Sequence, residues 1–141
     1  MGEYFHSLDE KGRLAVPASF REGLGASFIA TRGLDRTLFL FPQTVWREAA
    51  ERIQTLPLGR SDVRSFVRLL FSGAVVCEPD KQGRIALPKT LRTYAGIDRD
   101  VAVIGVSNRV EVWAAENWTT YSAQAQESYA AIAEQLGNLF V

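Results

Sequence analysis

Histidine and cysteine are almost absent from this chain of 141 residues: His6 and Cys77 each stand alone. A single Cys forms no internal disulfide and builds no thiolate cluster, and its apolar run Ala74-Val75-Val76-Cys77 marks it as a core thiol. A single His leaves no catalytic triad and no histidine-based metal site. Net charge is missing too. Sixteen Lys and Arg balance 16 Asp and Glu, so attraction for a polyanion has to come from local clusters rather than a global field. The sequence holds no apolar stretch long enough to cross a bilayer and no signal-peptide pattern, so a cytoplasmic location is expected. It also lacks a phosphate loop, a paired nucleophile and base, and any metal-ligand spacing; no enzyme activity, cofactor or metal is expected.

What the chain does have is a stretch written twice. Asp9-Glu10-Lys11-Gly12-Arg13-Leu14-Ala15-Val16-Pro17 returns as Asp80-Lys81-Gln82-Gly83-Arg84-Ile85-Ala86-Leu87-Pro88. At the same offset Gly2 matches Gly73, Arg21 matches Arg92 and Gly25 matches Gly96. With a gap of one residue, Trp46 falls opposite Trp118, and Leu38 and Leu40 opposite Val110 and Val112. The chain is an internal duplication.

Each copy reads as strand, Gly turn, strand and short helix. Gly12 and Gly83 supply the positive φ of a tight connection. The apolar runs after the two arginines suit short buried strands, and Pro17 and Pro88 end them and open a short helix in its first turn. Hairpins follow over residues 27–41 and 101–113. The apolar spacing predicts helices over residues 43–56, over 61–72 with Ser61 as N-cap, and over 115–136. In the last, Trp118, Tyr121, Ala125, Tyr129, Ile132 and Leu136 form a stripe of the kind that packs on the chain's own core, with its Tyr129-Ile132-Leu136 end available for subunit contacts. Neither copy has enough strands to cover its own edges, whereas two copies pairing with each other would. The expected fold is α+β with a mainly β core: a pseudo-two-fold barrel with helices packed outside.

The doubled Asp-x-x-Gly-Arg-(aliphatic)-x-(aliphatic)-Pro motif resembles that of the MraZ family, within the AbrB-like swapped-hairpin transcription factors, and the likeness covers nearly the whole chain. The resemblance implies two AbrB-like repeats, residues 1–72 with their following helices and residues 73–141 with the C-terminal helix. It implies a nucleoid-associated bacterial regulator of the division and cell-wall gene cluster. Such a regulator assembles into a ring-shaped homo-oligomer and binds repeated boxes in double-stranded promoter DNA. The family's Asp-x-x-x-Arg elements carry over to Asp9 with Arg13 and to Asp80 with Arg84.

Residue chemistry agrees with a DNA contact. The planar fork of Arg fits a phosphate or the O6/N7 edge of guanine. The expected contacts are Lys11, Arg13, Lys81, Arg84, Lys89 and Arg92, with Asp9, Gly12, Asp80 and Gly83 shaping the turns. Asp9 and Asp80 are read as caps that hold the arginines, since phosphate would repel them. The second copy is the more basic: Lys81, Arg84, Lys89 and Arg92 stand against Asp80 alone, while Lys11, Arg13 and Arg21 meet Asp9, Glu10 and Glu22. Glu22 beside it assigns Arg21 to the solvated surface. A second reading is an assembly or protein-interaction module of antitoxin-like type, which specific, salt-sensitive binding to promoter DNA would separate from the first.

Overall fold

The computed structural model describes residues 1–140. In chain order the first copy forms β1 (Gly2–Ser7), β2 (Arg13–Ala15), α1 (Ala18–Leu24), β3 (Phe28–Arg32), β4 (Leu38–Pro42), α2 (Gln43–Gln54) and α3 (Ser61–Gly73). The second forms β5 (Val75–Cys77), β6 (Arg84–Ala86), α4 (Lys89–Ala95), β7 (Asp100–Val106), β8 (Arg109–Ala114) and α5 (Ala115–Leu136). Six strands make one antiparallel sheet in the order β1-β7-β8-β4-β3-β5, and β2 pairs with β6 in a separate ribbon.

The pairing explains why the sequence is doubled. Only β3–β4 and β7–β8 join strands of one copy. Every other ladder crosses between copies: β1 lies on β7 with Tyr4 opposite Val103, β5 on β3 with Cys77 opposite Phe28, and β4 on β8 with Phe39 opposite Glu111. In the ribbon Leu14 faces Ile85, and this pair marks the pseudo-two-fold axis. A lone copy would be left with one hairpin and open edges, which is marginal in water.

The β1–β7…β3–β5 ladder does not close. Among the described residues β1 and β5 remain its two edges, so the structure is a mixed α/β body with a mainly antiparallel sheet and no hydrogen-bonded barrel closure. The cause is local. Pro17 and Pro88 follow so closely that β2 and β6 keep only three residues each, and those pair with one another instead of bridging the edges.

One apolar cluster, including Leu14, Val16, Phe20, Phe28, Leu40, Ile85, Leu87, Leu91, Val103 and Val112, joins ribbon, sheet and short helices. Cys77 belongs to it, and burial pushes its thiol up to about 11, as suits an inert core residue. The proline turns take a slightly different place from the expected one. Pro17 and Pro88 sit at the N-cap positions of α1 and α4, and their carbonyls accept the N–H groups of Phe20 and Leu91. Ser61 is likewise the first helical residue rather than the cap. Arg60 holds that position, and Asp62 in the first turn accepts the N–H of Val63.

The helices after each sheet half break the symmetry. In the first copy α3 turns back, and Trp46 of α2 meets Phe71 of α3 with ring centroids 5.5 Å apart. In the second copy α5 is one 22-residue rod. Its start packs well: Trp113 touches Trp118 at 5.2 Å and Tyr121 at 4.9 Å. Beyond that, Tyr129, Ile132 and Leu136 are exposed. The stripe expected to pack on the chain's own core does so only at its N-terminal end, because among the described residues no helix returns over α5 as α3 returns over α2.

If the Leu14–Ile85 contact at the axis holds the copies together, Leu14→Ala should lower stability by about 2–5 kcal/mol in urea unfolding, as for other fully buried leucines. Ile85→Ala should cost a similar amount. A loss below about 0.5 kcal/mol, typical of a surface site, would contradict the packing.

Candidate nucleic-acid interface

Each repeated turn is organised by its own aspartate. Gly12 N–H reaches Asp9 O at 3.0 Å, and Asp9 N–H reaches Arg13 O at 3.0 Å. Gly12 has φ 72° and Gly83 φ 76°, the left-handed region in which any residue with a Cβ is strained by about 1–2 kcal/mol. One carboxylate then locks the loop. Asp9 Oδ1 accepts the N–H groups of Lys11 and Arg13, both at 2.9 Å, while Oδ2 accepts Arg13 Nε at 2.6 Å. The second turn repeats the pattern: Asp80 Oδ1 takes Gln82 and Arg84 N–H, and Oδ2 takes Arg84 Nε, all at 2.9 Å. The expected capping role of Asp9 and Asp80 is therefore what the geometry provides. Within each turn only Nε of the guanidinium is engaged by the turn's own aspartate.

The ribbon places the two turns side by side. Arg84 Nη1 lies 3.8 Å from Asp9 Oδ2, an ion pair between copies. Backbone bonds also cross: Gly83 O accepts Val16 N–H at 3.0 Å, and Gly12 O accepts Leu87 N–H at 3.1 Å.

A second pair of arginines, Arg21 and Arg92, completes the arrangement. Arg21 donates Nε to Val16 O and Arg92 donates Nε to Leu87 O, each at 2.9 Å. Their guanidinium groups reach over the opposite copy's turn. A Cβ built on Gly83 would stand 2.5 Å from Arg21 Cζ, and one on Gly12 3.1 Å from Arg92 Cζ. The bare glycines therefore serve twice, as left-handed hinges and as seats for a guanidinium. Arg21 is exposed, as its neighbour Glu22 suggested, while its guanidinium also rests against the second turn. The signal was present in the sequence, since Arg21 and Arg92 occupy matching places.

The other sequence-derived contacts divide clearly. Arg13 and Arg84 are brought together. Lys11, Lys81 and Lys89 are exposed on or beside the turns and form no ion pair among the described residues. Arg92 is near the first turn but has its Nε engaged. In and just after the two repeated stretches, seven basic side chains (Lys11, Arg13, Arg21, Lys81, Arg84, Lys89, Arg92) stand against four acidic ones (Asp9, Glu10, Glu22, Asp80), and the hydrogen bonds of Asp9 and Asp80 are made inside the turns.

Those bonds lower both carboxyl pKa values. For Asp9 the Arg13 backbone N–H contributes most; partial desolvation opposes it, and the Arg13 side chain and Lys11 N–H add to the lowering. Asp80 responds in the same way to Arg84 and Gln82. No group of His, Cys, Asp and Glu side chains suited to a metal ion is found among the described residues, and no helix there is long and apolar enough to cross a membrane.

Comparison with known proteins adds an independent finding. A family model described as MraZ protein, putative antitoxin-like, matches residues 1–69 and again residues 70–139. The chain is similar to the transcriptional regulator MraZ of Syntrophomonas wolfei, 56% identical over 139 residues, covering 99% of this chain and 97% of that one. It is 54% identical over 139 residues to the protein of the same name from Desulforamulus reducens, with 99% and 98% covered. With that from Natranaerobius thermophilus it shares 55% over 136 residues, with 96% and 95% covered.

The lowered carboxyl pKa values give a signed expectation. Their stabilisation is complete above the unfolded-state aspartate pKa of about 3.9 and fades as pH falls through the lowered folded values. The pair Asp9→Asn with Asp80→Asn should reduce stability at neutral pH and flatten the loss that the parent shows below about pH 4, read as thermal midpoint against pH. Parallel parent and variant curves would contradict the capping role.

Proposed function

From the premise that this chain belongs to the MraZ family, we propose that it is a transcriptional regulator that binds double-stranded promoter DNA through its paired turns. The observation that carries this reading is the pair Arg13 and Arg84. Each is fixed through Nε by its own aspartate and set beside the other by the β2–β6 ribbon, so two part-exposed guanidinium groups lie together. Phosphate contacts fall to Lys11, Lys81, Lys89 and the Nη groups of Arg92, and the second copy supplies the larger share. The six-stranded sheet and the ribbon act as one pseudo-two-fold body built from the repeats 1–72 and 73–141. The protein works in the cytoplasm, associated with the nucleoid, and is not an enzyme. The division and cell-wall gene cluster is the target carried over from the family resemblance.

Assembly belongs to the same proposal. A chain without net charge and with few phosphate contacts holds one DNA box weakly. A ring of copies sets many such faces at fixed spacing, and binding to tandem boxes then gains roughly 10²–10⁴ in apparent affinity. The exposed Tyr129, Ile132 and Leu136 of α5 supply subunit contacts. That same exposed face also favours the second reading, an antitoxin-like interaction module whose partner is a protein.

Arg13→Ala and Arg84→Ala should each cost about 1–3 kcal/mol of operator binding with the fold intact. Lys81→Ala or Lys89→Ala should weaken operator and random DNA alike and reduce the salt slope by about one. Mobility shifts over a salt series test both. Operator binding unchanged in the two Arg variants would move the site elsewhere and leave the interaction module standing.

Affinity should rise steeply from one box to two and three when the boxes lie near one helical turn apart. Insertion of half a turn should abolish the gain. Equal affinity across that series would remove the ring from the proposal while leaving single-box recognition intact.

A further inference from the structure

The two short helices differ at one matching position, and a cavity follows from it. Gly23 is the second-to-last residue of α1, and Tyr94 is the second-to-last residue of α4. In the second copy the Tyr94 ring fills the space between α4 and the β3–β4 connection. Its hydroxyl donates to Gly33 O at 2.6 Å, and Arg32 and Arg36 lie 5.8 Å from its ring centre. In the first copy position 23 carries no ring, although that of Phe20 stands beside Gly105. Instead a cavity of about 310 Å³ opens between α1 and the β7–β8 turn.

The walls of that cavity are the pseudo-two-fold image of the Tyr94 seat. Phe20, Gly23 and Leu24 stand where Leu91, Tyr94 and Ala95 stand in the other copy, and Val106, at the place of Gly33 in the strand register, lines the cavity with Gly105 and Val110. A Cβ added to Gly23 meets nothing within 4 Å. Gly23 is exposed at the rim of the cavity, so a larger side chain has room there.

We propose that this cavity is a binding site for a small single-ring phenol, which takes the place that Tyr94 occupies in the second copy. The size is at the small end of ligand pockets, and the lining is mainly apolar with a few polar groups (Ser19, Ser107, Asn108 and the charged Arg109). The neighbouring α1 residue Arg21 clamps the second turn, so the ligand sits one helix away from the paired turns. The site goes beyond the proposed function and stands whether or not the paired turns bind DNA.

The test is a titration of the ¹⁵N-labelled full chain with p-cresol, the side chain of tyrosine as a free molecule, with 4-methylcyclohexanol as the non-aromatic control. Saturable shifts centred on the Gly23 and Gly105 amides are expected, with a dissociation constant of about millimolar for a molecule of this size. Gly23→Tyr plugs the cavity from within and should weaken p-cresol by at least about tenfold, while thermal stability is kept or raised because a helical Gly is replaced. Gly23→Leu fills the same space and gives the same reading if the Tyr variant fails to fold. The site is overturned if no shift saturates within p-cresol solubility, if both plugged variants bind as the parent does, or if the saturated alcohol binds equally well.

Discussion

Neither copy of the repeat completes its own turn. The carboxylate of Asp9 or Asp80 closes the loop from inside, but the surface on which each loop rests comes from the other copy. Arg21 reaches over Gly83, Arg92 reaches over Gly12, and Leu14 meets Ile85 between them. The backbone bonds Val16 N–H to Gly83 O and Leu87 N–H to Gly12 O run the same way. This reciprocity couples fold and candidate function. The interactions that assemble the core also bring Arg13 and Arg84 together, so their pairing, though not the local fixing of each, needs both halves of the chain.

The duplication is near but not complete symmetry, and its departures fall where a symmetric protein would be least useful. The second turn carries most of the surplus positive charge. The helix after the second copy stays single, which exposes Tyr129, Ile132 and Leu136, whereas α3 covers the matching side of the first copy. Gly23 stands in place of an aromatic ring and leaves a cavity. A duplicated chain can thus hold one half structural while the other acquires a contact.

Much of this was legible in the sequence. The doubled Asp-x-x-Gly-Arg stretch, the two hairpins and the three longer helices were placed within a few residues, because turn glycines, helix-opening prolines and apolar spacing are local signals. The capping role of Asp9 and Asp80 also followed from local chemistry. What escaped was non-local. The ladder was expected to close, yet strand length at β2 and β6 is set by Pro17 and Pro88, and closure depends on pairings that no window of sequence contains. The α5 stripe was legible as a stripe, but periodicity alone does not say what covers it. Arg21 reads as a surface residue and is one, but its position over Gly83 of the other copy is not legible from its own neighbours. The Gly23–Tyr94 difference was visible in the alignment of the copies and gained meaning only once the Tyr94 hydroxyl was seen on Gly33 O.

The claim on which the functional reading rests is that both turns present one DNA-facing surface. Amide shift mapping of the full chain with a duplex from immediately upstream of its own gene tests this directly. Perturbations should appear together at Lys11, Gly12, Gln82 and Gly83 and saturate at one common DNA concentration. Perturbations confined to α2 and α3, or to one turn with the other unaffected, would contradict it.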